Sequence, residues 1–180
     1  IWGAMLEQQS YSTSYIKSEG SQTTRNQETC INATPEINSE EGVLYAEISA
    51  LANDGPTRRI SLKGSNPGDR LNISFSPATN TLQCFGFVGN VLQFNFTPTL
   101  TDTTQFNKIA LKYKENDFAL WVNGVEVLTD TSGITWSANT LNNLLFGNSS
   151  TTELFFGNTK DVQVYTKALS DAELIKLTTI

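Results

Sequence analysis

The chain has no histidine, one methionine and two cysteines, and only 17% of its 180 residues are charged. Without imidazole, most zinc sites, Ser-His and Cys-His catalytic pairs and any imidazole pH switch are excluded. Twelve Lys and Arg against 18 Asp and Glu leave a net charge of −6. That balance argues against nucleic acid and against an anionic membrane, since both are held by clustered cations. No apolar run approaches the roughly 20 residues of a membrane span, so no membrane insertion is expected. Cys30 and Cys84 permit one disulfide, far below the density of a disulfide scaffold. With Leu82, Phe85 and Phe87 around it, Cys84 reads as a small buried hydrophobe.

What the chain does have is Thr, Ser and Asn: 23, 16 and 17 of them, 56 positions in all. This mix fits a turn-rich β protein whose surface is solvated by hydroxyls and amides. Strand-like segments follow one another from residue 43, over 43–51, 58–63, 70–76, 82–88, 91–97, 108–114, 118–122, 125–129, 141–146, 154–156 and 161–165. Turn chemistry separates them, as in Asn53-Asp54-Gly55-Pro56 and Asn66-Pro67-Gly68-Asp69. Such spacing predicts an antiparallel sandwich rather than a parallel α/β sheet. In 108–114, Ile109, Leu111 and Tyr113 alternate with Lys108, Lys112 and Lys114, so one face is expected buried and one wet. Asn123-Gly124 between two alternating segments predicts a type I′ hairpin. One helix is expected, about Asp171 to Leu177, packed as a lid on a sheet edge. Ser170 and Glu173 form a capping box before it, and Leu169 with Leu174 forms a hydrophobic staple.

Residues 1–41 read as an N-terminal connector arm that follows a missing upstream domain, and 42–180 as the sandwich. The arm is polar but carries Trp2, Met5, Tyr11 and Tyr15, too apolar a set for a solvated linker. With Ile1, Leu6 and Ile16 they are expected to bury against a neighbouring chain, the missing upstream domain or this sandwich; the four are taken as interface residues, and a homotrimer is the expected assembly.

The segment KIALKYKENDFALWVNGVEV (108–127) resembles the central hairpin of laminin-G-like domains of the concanavalin A-like superfamily. GNTKDVQVYTKALSDAELIKL (157–177) resembles their closing strand and helix, with Val162, Val164, Tyr165, Leu169, Ser170, Glu173 and Leu174 on matching positions. The first 30 residues resemble a segment of bacteriophage tail-fibre proteins through Trp2-Gly3-Ala4, Leu6-Glu7, Ser14-Tyr15-Ile16, Gly20, Thr24-Arg25 and Cys30; Met5, Gln9 and Lys17 stand where that segment usually has Gln, Gly and Pro. The resemblance implies an all-β, concanavalin A-like antiparallel β-sandwich (jelly roll) with one short C-terminal helix. It also implies a virion tail or head fibre as the location, with an extracellular setting as the alternative. No cofactor is required, though calcium is implied as a rim ligand of such sandwiches, with Asp54, Asp69 and Asp130 as candidate oxygen donors.

No catalytic residue is expected. Glycoside hydrolysis on this fold needs carboxylates paired along one strand, and Glu115 with Asp117 or Glu40 with Glu41 fall at turns instead. Binding is the expected activity. A sugar site combines an aromatic face with a few amides. Trp136 with Asn139 and Asn142 in an irregular stretch offers that make-up, and Trp121 lies on the strand face opposite Phe118, Leu120 and Val122. The expected function is a non-catalytic host-recognition module of a phage fibre that binds a cell-surface polysaccharide or glycan. The alternatives are a purely structural fibre or decoration domain, or a secreted bacterial adhesin or carbohydrate-binding module.

Overall fold

The computed structural model describes residues 33–53, 55–148 and 152–180. Its elements are β1 (Glu41–Ala50), β2 (Arg58–Gly64), β3 (Arg70–Phe75), β4 (Leu82–Val88), β5 (Val91–Phe96), β6 (Asn107–Lys114), β7 (Phe118–Val122), β8 (Val125–Asp130), β9 (Leu141–Leu145), β10 (Gly157–Tyr165) and α1 (Asp171–Thr178). Two five-stranded sheets form, in the orders β10-β1-β6-β7-β8 and β5-β4-β3-β2-β9. Every neighbouring pair is antiparallel. No helix among the described residues is long and apolar enough to cross a membrane.

Period-two alternation builds the core between the sheets. Leu44, Ala46 and Ile48, with Ile109, Leu111 and Tyr113, and Phe118 and Leu120, face Ile60, Leu62, Leu71, Ile73, Phe75, Leu82 and Cys84, and all are buried. Full burial of each large apolar side chain contributes about 1.5–3 kcal/mol. The hairpin at Asn123-Gly124 forms as its residues require: both have positive φ, 50° and 85°, and Val122 pairs with Val125 across the two-residue turn.

The outer face of the first sheet is less open than the lysines of β6 suggest. Helix α1 lies across it, and Leu174 buries with Val43, Tyr45, Ala110, Ala119 and Trp121 in a second apolar cluster. The helix therefore covers a sheet face, not an edge. Lys112 is buried on that face and its Nζ meets Asp117 Oδ1 at 2.6 Å, which corrects the expectation of a wet row. Its capping box closes through Glu173, whose carboxylate accepts from the Ser170 amide at 2.8 Å and from the Ser170 hydroxyl at 2.6 Å.

Two boundaries differ from the sequence expectation. Residues 33–40 are fastened to the sandwich: Ala33 bridges to Leu144, the Ser39 hydroxyl accepts from the Leu141 amide, and the Asn38 amide donates to the Thr166 carbonyl. These are isolated bonds, one through the Ala33 backbone and two through polar side chains, so no periodicity announces them. The segment 154–156 is not a strand; Leu154 makes one parallel bridge to Arg59, and the last strand starts at Gly157.

Candidate functional site

Among the described residues the helix packs on the first sheet alone, yet on the outer face of the second sheet Arg59, Ser61, Asn72, Ser74 and Phe85 are buried, and Phe87, Leu92 and Asn95 are the more open positions. Alternation sends Arg59, Ser61 and Lys63 of β2 outward, beside Ser74, Asn72 and Arg70 of β3, in the register Arg59↔Ser74, Ser61↔Asn72 and Lys63↔Arg70. On β4 the outward positions are Gln83, Phe85 and Phe87, because Phe85 pairs with Asn72 and Phe87 with Arg70. On β5, Asn95 lies opposite Phe85, and the exposed Leu92 lies opposite Phe87.

Cations and rings interleave here. The Arg59 guanidinium sits 4.9 Å from the Phe85 ring centroid and that of Arg70 sits 4.3 Å from Phe87. The two rings meet edge to face at 5.6 Å. Stacking leaves the guanidinium edges directed at other partners. The Ser61 hydroxyl donates to Asn72 Oδ1 at 2.8 Å and also contacts the Gly147 carbonyl at 2.7 Å. Asn72 Oδ1 is thereby occupied, while its Nδ2 is buried with no hydrogen-bond partner; Arg59 Nε and Arg70 Nε are in the same state. The carboxylate paired with this group among the described residues is Glu153, whose Oε2 lies 2.6 Å from Arg59 Nη1. This is a charge contact, since Oε2 has no hydrogen-bond partner. Burial pulls the Arg59 pKa down, Glu153 opposes that and Arg70 adds to it; as an arginine it remains charged.

The tryptophans expected to bind sugar are inside. Trp136 is 2% exposed, packs edge to face against Tyr113 at 5.8 Å and donates its indole N–H to the Phe87 carbonyl at 2.7 Å. Trp121 is 5% exposed beneath α1. Neither presents a ring face to solvent, because a segment of mixed polarity (132–140) folds its one large aromatic inward and the helix seals the other. Asn139 is exposed with φ 61°, a turn position, and Asn142 is exposed on the edge strand β9, where its side-chain oxygen faces Asn143. These two amides are not brought to an open indole. An open cleft of about 550 Å³ lies beside Trp136, walled by Asn38, Glu40, Glu41, Lys114 and Glu115. Its charges are partly spent on each other, as Lys114 Nζ meets Glu41 at 3.2 Å, and it has no ring face for a sugar. The outer sheet face is the better-built site.

The calcium candidates do not assemble. Asp69 Oδ1 accepts from the Gly89 amide, and Asp130 Oδ1 from the Ser132 amide and hydroxyl. Asp130 is spent in holding its own turn and Asp69 in tying its turn to the one between β4 and β5, and no group of three or more acidic or thiol ligands exists among the described residues. Asp54 lies outside the described residues, as do Trp2, Met5, Tyr11 and Tyr15. Cys84 is a free thiol on the inner face.

Two antiparallel sheets form a β-sandwich, one backed by a helix and the other carrying cations, amides and rings on its outward positions, the Arg70–Phe87 end of which is the more open. Residues 12–175 match the Laminin_G_3 model of the concanavalin A-like lectin/glucanases superfamily, and the chain belongs to that superfamily. No curated protein sequence matches it. Among solved structures the chain is similar to the CBM40 domain of the Ruminococcus gnavus IT-sialidase, with TM-score 0.62 and 19% identity over 78% of this chain and 83% of that one. Domain 4 of AbnA, a GH43 extracellular arabinanase from Geobacillus stearothermophilus solved with arabinotriose, gives TM-score 0.59 and 12% identity over 80% and 68%. Domains LG4-5 of the mouse laminin α1 chain give TM-score 0.56 and 11% identity over 80% and 40%. The neighbours include carbohydrate-binding modules; at these identities the likeness is one of fold.

Proposed function

We propose that this domain is a non-catalytic glycan-binding module whose site is the outer face of the second sheet, centred on Arg59, Arg70, Asn72, Phe85 and Phe87. The observation that carries the reading is the interleaving of stacked guanidinia, rings and an amide on a sheet face that carries no helix among the described residues. Hydroxyl-rich ligands are held by such donors, with Phe87, Leu92 and Asn95 as a rim. The fold neighbours support it, since the sialidase CBM40 domain was solved with sialyllactose and the arabinanase domain with arabinotriose. Cleavage is no part of this reading: Asp117 is paired with Lys112 and Glu41 with Lys114.

The setting we propose is a virion fibre, on the strength of the tail-fibre-like pattern in residues 1–30, with Trp2, Met5, Tyr11 and Tyr15 burying between three copies. A carbohydrate-binding module of a secreted bacterial enzyme is the second reading, favoured by the neighbours in the two glycosidases. A glycan array probed with the full chain and with Arg70→Gln tests the function: binding that the substitution removes supports the site, and an array with no bound glycan overturns it. Light scattering tests the assembly, a 20 kDa monomer overturning the trimer.

A further inference from the structure

The chain as a whole carries six more acidic than basic residues, yet the outer face of the second sheet inverts that sign. Arg59, Lys63 and Arg70 share it, against Glu153 as their paired carboxylate among the described residues. Lys63 and Arg70 are directly opposite each other in the β2–β3 ladder. Like charges at directly opposed positions are unfavourable, and here each is steadied by a neighbour, Arg70 by the Pro67 carbonyl and the Phe87 ring and Lys63 by the Asn148 carbonyl.

The hydrogen-bond inventory has the same sign. The three side-chain nitrogens buried without a partner at this face, Arg59 Nε, Arg70 Nε and Asn72 Nδ2, are all donors. Arg59 and Asn72 are more than nine-tenths buried. Unmet buried donors are costly, and charged ones more so. Ser61 has one hydroxyl proton and two acceptors in reach, Asn72 Oδ1 at 2.8 Å and the Gly147 carbonyl at 2.7 Å, so the amide can be satisfied by turning and the unmet need rests on the two guanidinium Nε groups. What the face lacks is an acceptor, and an anionic one suits two guanidinia.

Glu153 fills that place poorly. Its backbone has φ 50°, the left-handed region that a non-glycine residue adopts at a cost. Its Oε2 touches Arg59 but has no hydrogen-bond partner. Side-chain exposure is 36% for Glu153 against 9% for Arg59, so the Glu153 side chain reaches in from the rim and ends in a buried Oε2 over the cation.

We infer that the ligand of this face is a sugar bearing a carboxylate, whose acid group replaces Glu153 at Arg59 and draws a further hydrogen bond from Arg70. This rests on the glycan-binding reading above. Glu153 then acts as an internal competitor, and Lys63 as a peripheral charge that speeds encounter and makes binding salt-sensitive.

The test pairs a uronic-acid polymer, polygalacturonate, with the same polymer after carboxyl reduction, alongside an array of neutral and sialylated glycans. Expected is binding to carboxylated members and at least about tenfold weaker binding to the reduced polymer, the loss of one charge-assisted contact set. Glu153→Gln should tighten binding several-fold and Arg70→Gln weaken it at least about tenfold. Lys63→Gln should flatten the salt dependence. A direct readout is the Nε–Hε signals of the four arginines: sodium glucuronate should shift those of Arg59 and Arg70, and its methyl ester should not. Equal binding of the native and reduced polymers overturns the acidic-sugar inference and leaves glycan binding standing. No binding to any glycan overturns both. A Glu153→Gln chain that is folded but binds no more tightly overturns the competitor role.

Discussion

Trp136 donates its indole N–H to the main-chain oxygen of Phe87 at 2.7 Å, joining positions 49 residues apart. The bond ties the 131–140 connection to the end of β4, next to the ring on which Arg70 stacks. Trp136 thus bears on the outer face through the backbone of Phe87, from inside the sandwich.

Trp136→Ala should destabilise the domain by about 3–5 kcal/mol, as for other large buried aromatics, measured by urea unfolding. Trp136→Phe keeps most of the burial and loses the bond, which should cost about 1–3 kcal/mol because the Phe87 carbonyl is left without its donor. A full-strength fold in Trp136→Ala would show that the indole is not a core element.

Leu174 is fully buried between α1 and the first sheet. Leu174→Ala should cost about 2–4 kcal/mol and, by loosening the helix over Trp121, shift the indole emission to the red. An unshifted spectrum with unchanged stability would mean that the helix is held by something other than this contact.

Burial pushes the Cys84 thiol well above its ordinary range. In the folded chain its labelling by a disulfide reagent should stay negligible from pH 7 to pH 9 and become fast only on unfolding, since the thiolate is the reactive form. Mass spectrometry of the Cys84 peptide reads this directly, and prompt labelling of native protein would contradict the packing.

Burial first, then Glu47 and Asp161, push the Tyr45 phenol up to about 12, and burial with Glu41 raises Tyr113 as well. In the unfolded chain both ionise near 10. Above that pH the folded state keeps protons that the unfolded state has lost, so stability is complete below pH 10 and falls above it. The slope is up to about 1.4 kcal/mol per pH unit for each phenol. Denaturation at pH 9, 10 and 11 should show the fall, and Tyr45→Phe should remove its share; an unchanged slope in that variant would exclude Tyr45 as a contributor.

Local signals carried the architecture further than they carried the site. The Asn123-Gly124 turn, the Ser170–Glu173 cap and the alternation in β6 are each dictated by residues close in sequence. For Trp121 and Trp136, by contrast, exposure depends on what covers them, a helix 50 residues later in one case and a core partner on another strand in the other. The outer face left a trace in the sequence. Arg59-x-Ser61-x-Lys63 and Arg70-x-Asn72-x-Ser74 are polar rows, and Phe85 with Phe87 on the equivalent positions of the next strand breaks the rule of polar outward residues. Recognising that break requires the cross-strand register, which no single segment contains.

The hairpin that displays Asn123-Gly124 has a bearing on how the protein ages. Asparagine followed by glycine is prone to deamidation, in which the glycine nitrogen attacks the side-chain carbonyl carbon and a succinimide forms. Here Asn123 Oδ1 accepts from the Lys108 amide, its Nδ2 donates to Asn107 Oδ1, and the Gly124 amide donates to the Thr178 hydroxyl. The Gly124 nitrogen is held by Thr178 and the Asn123 side chain is fixed by Lys108 and Asn107, so ring closure requires freeing the nucleophile and turning the side chain out of its anchored position. The same turn that sets the strand register is therefore shielded from slow chemical decay for as long as the C-terminal helix stays docked, and prolonged storage should leave Asn123 intact in native protein while the unfolded chain acquires a negative charge there.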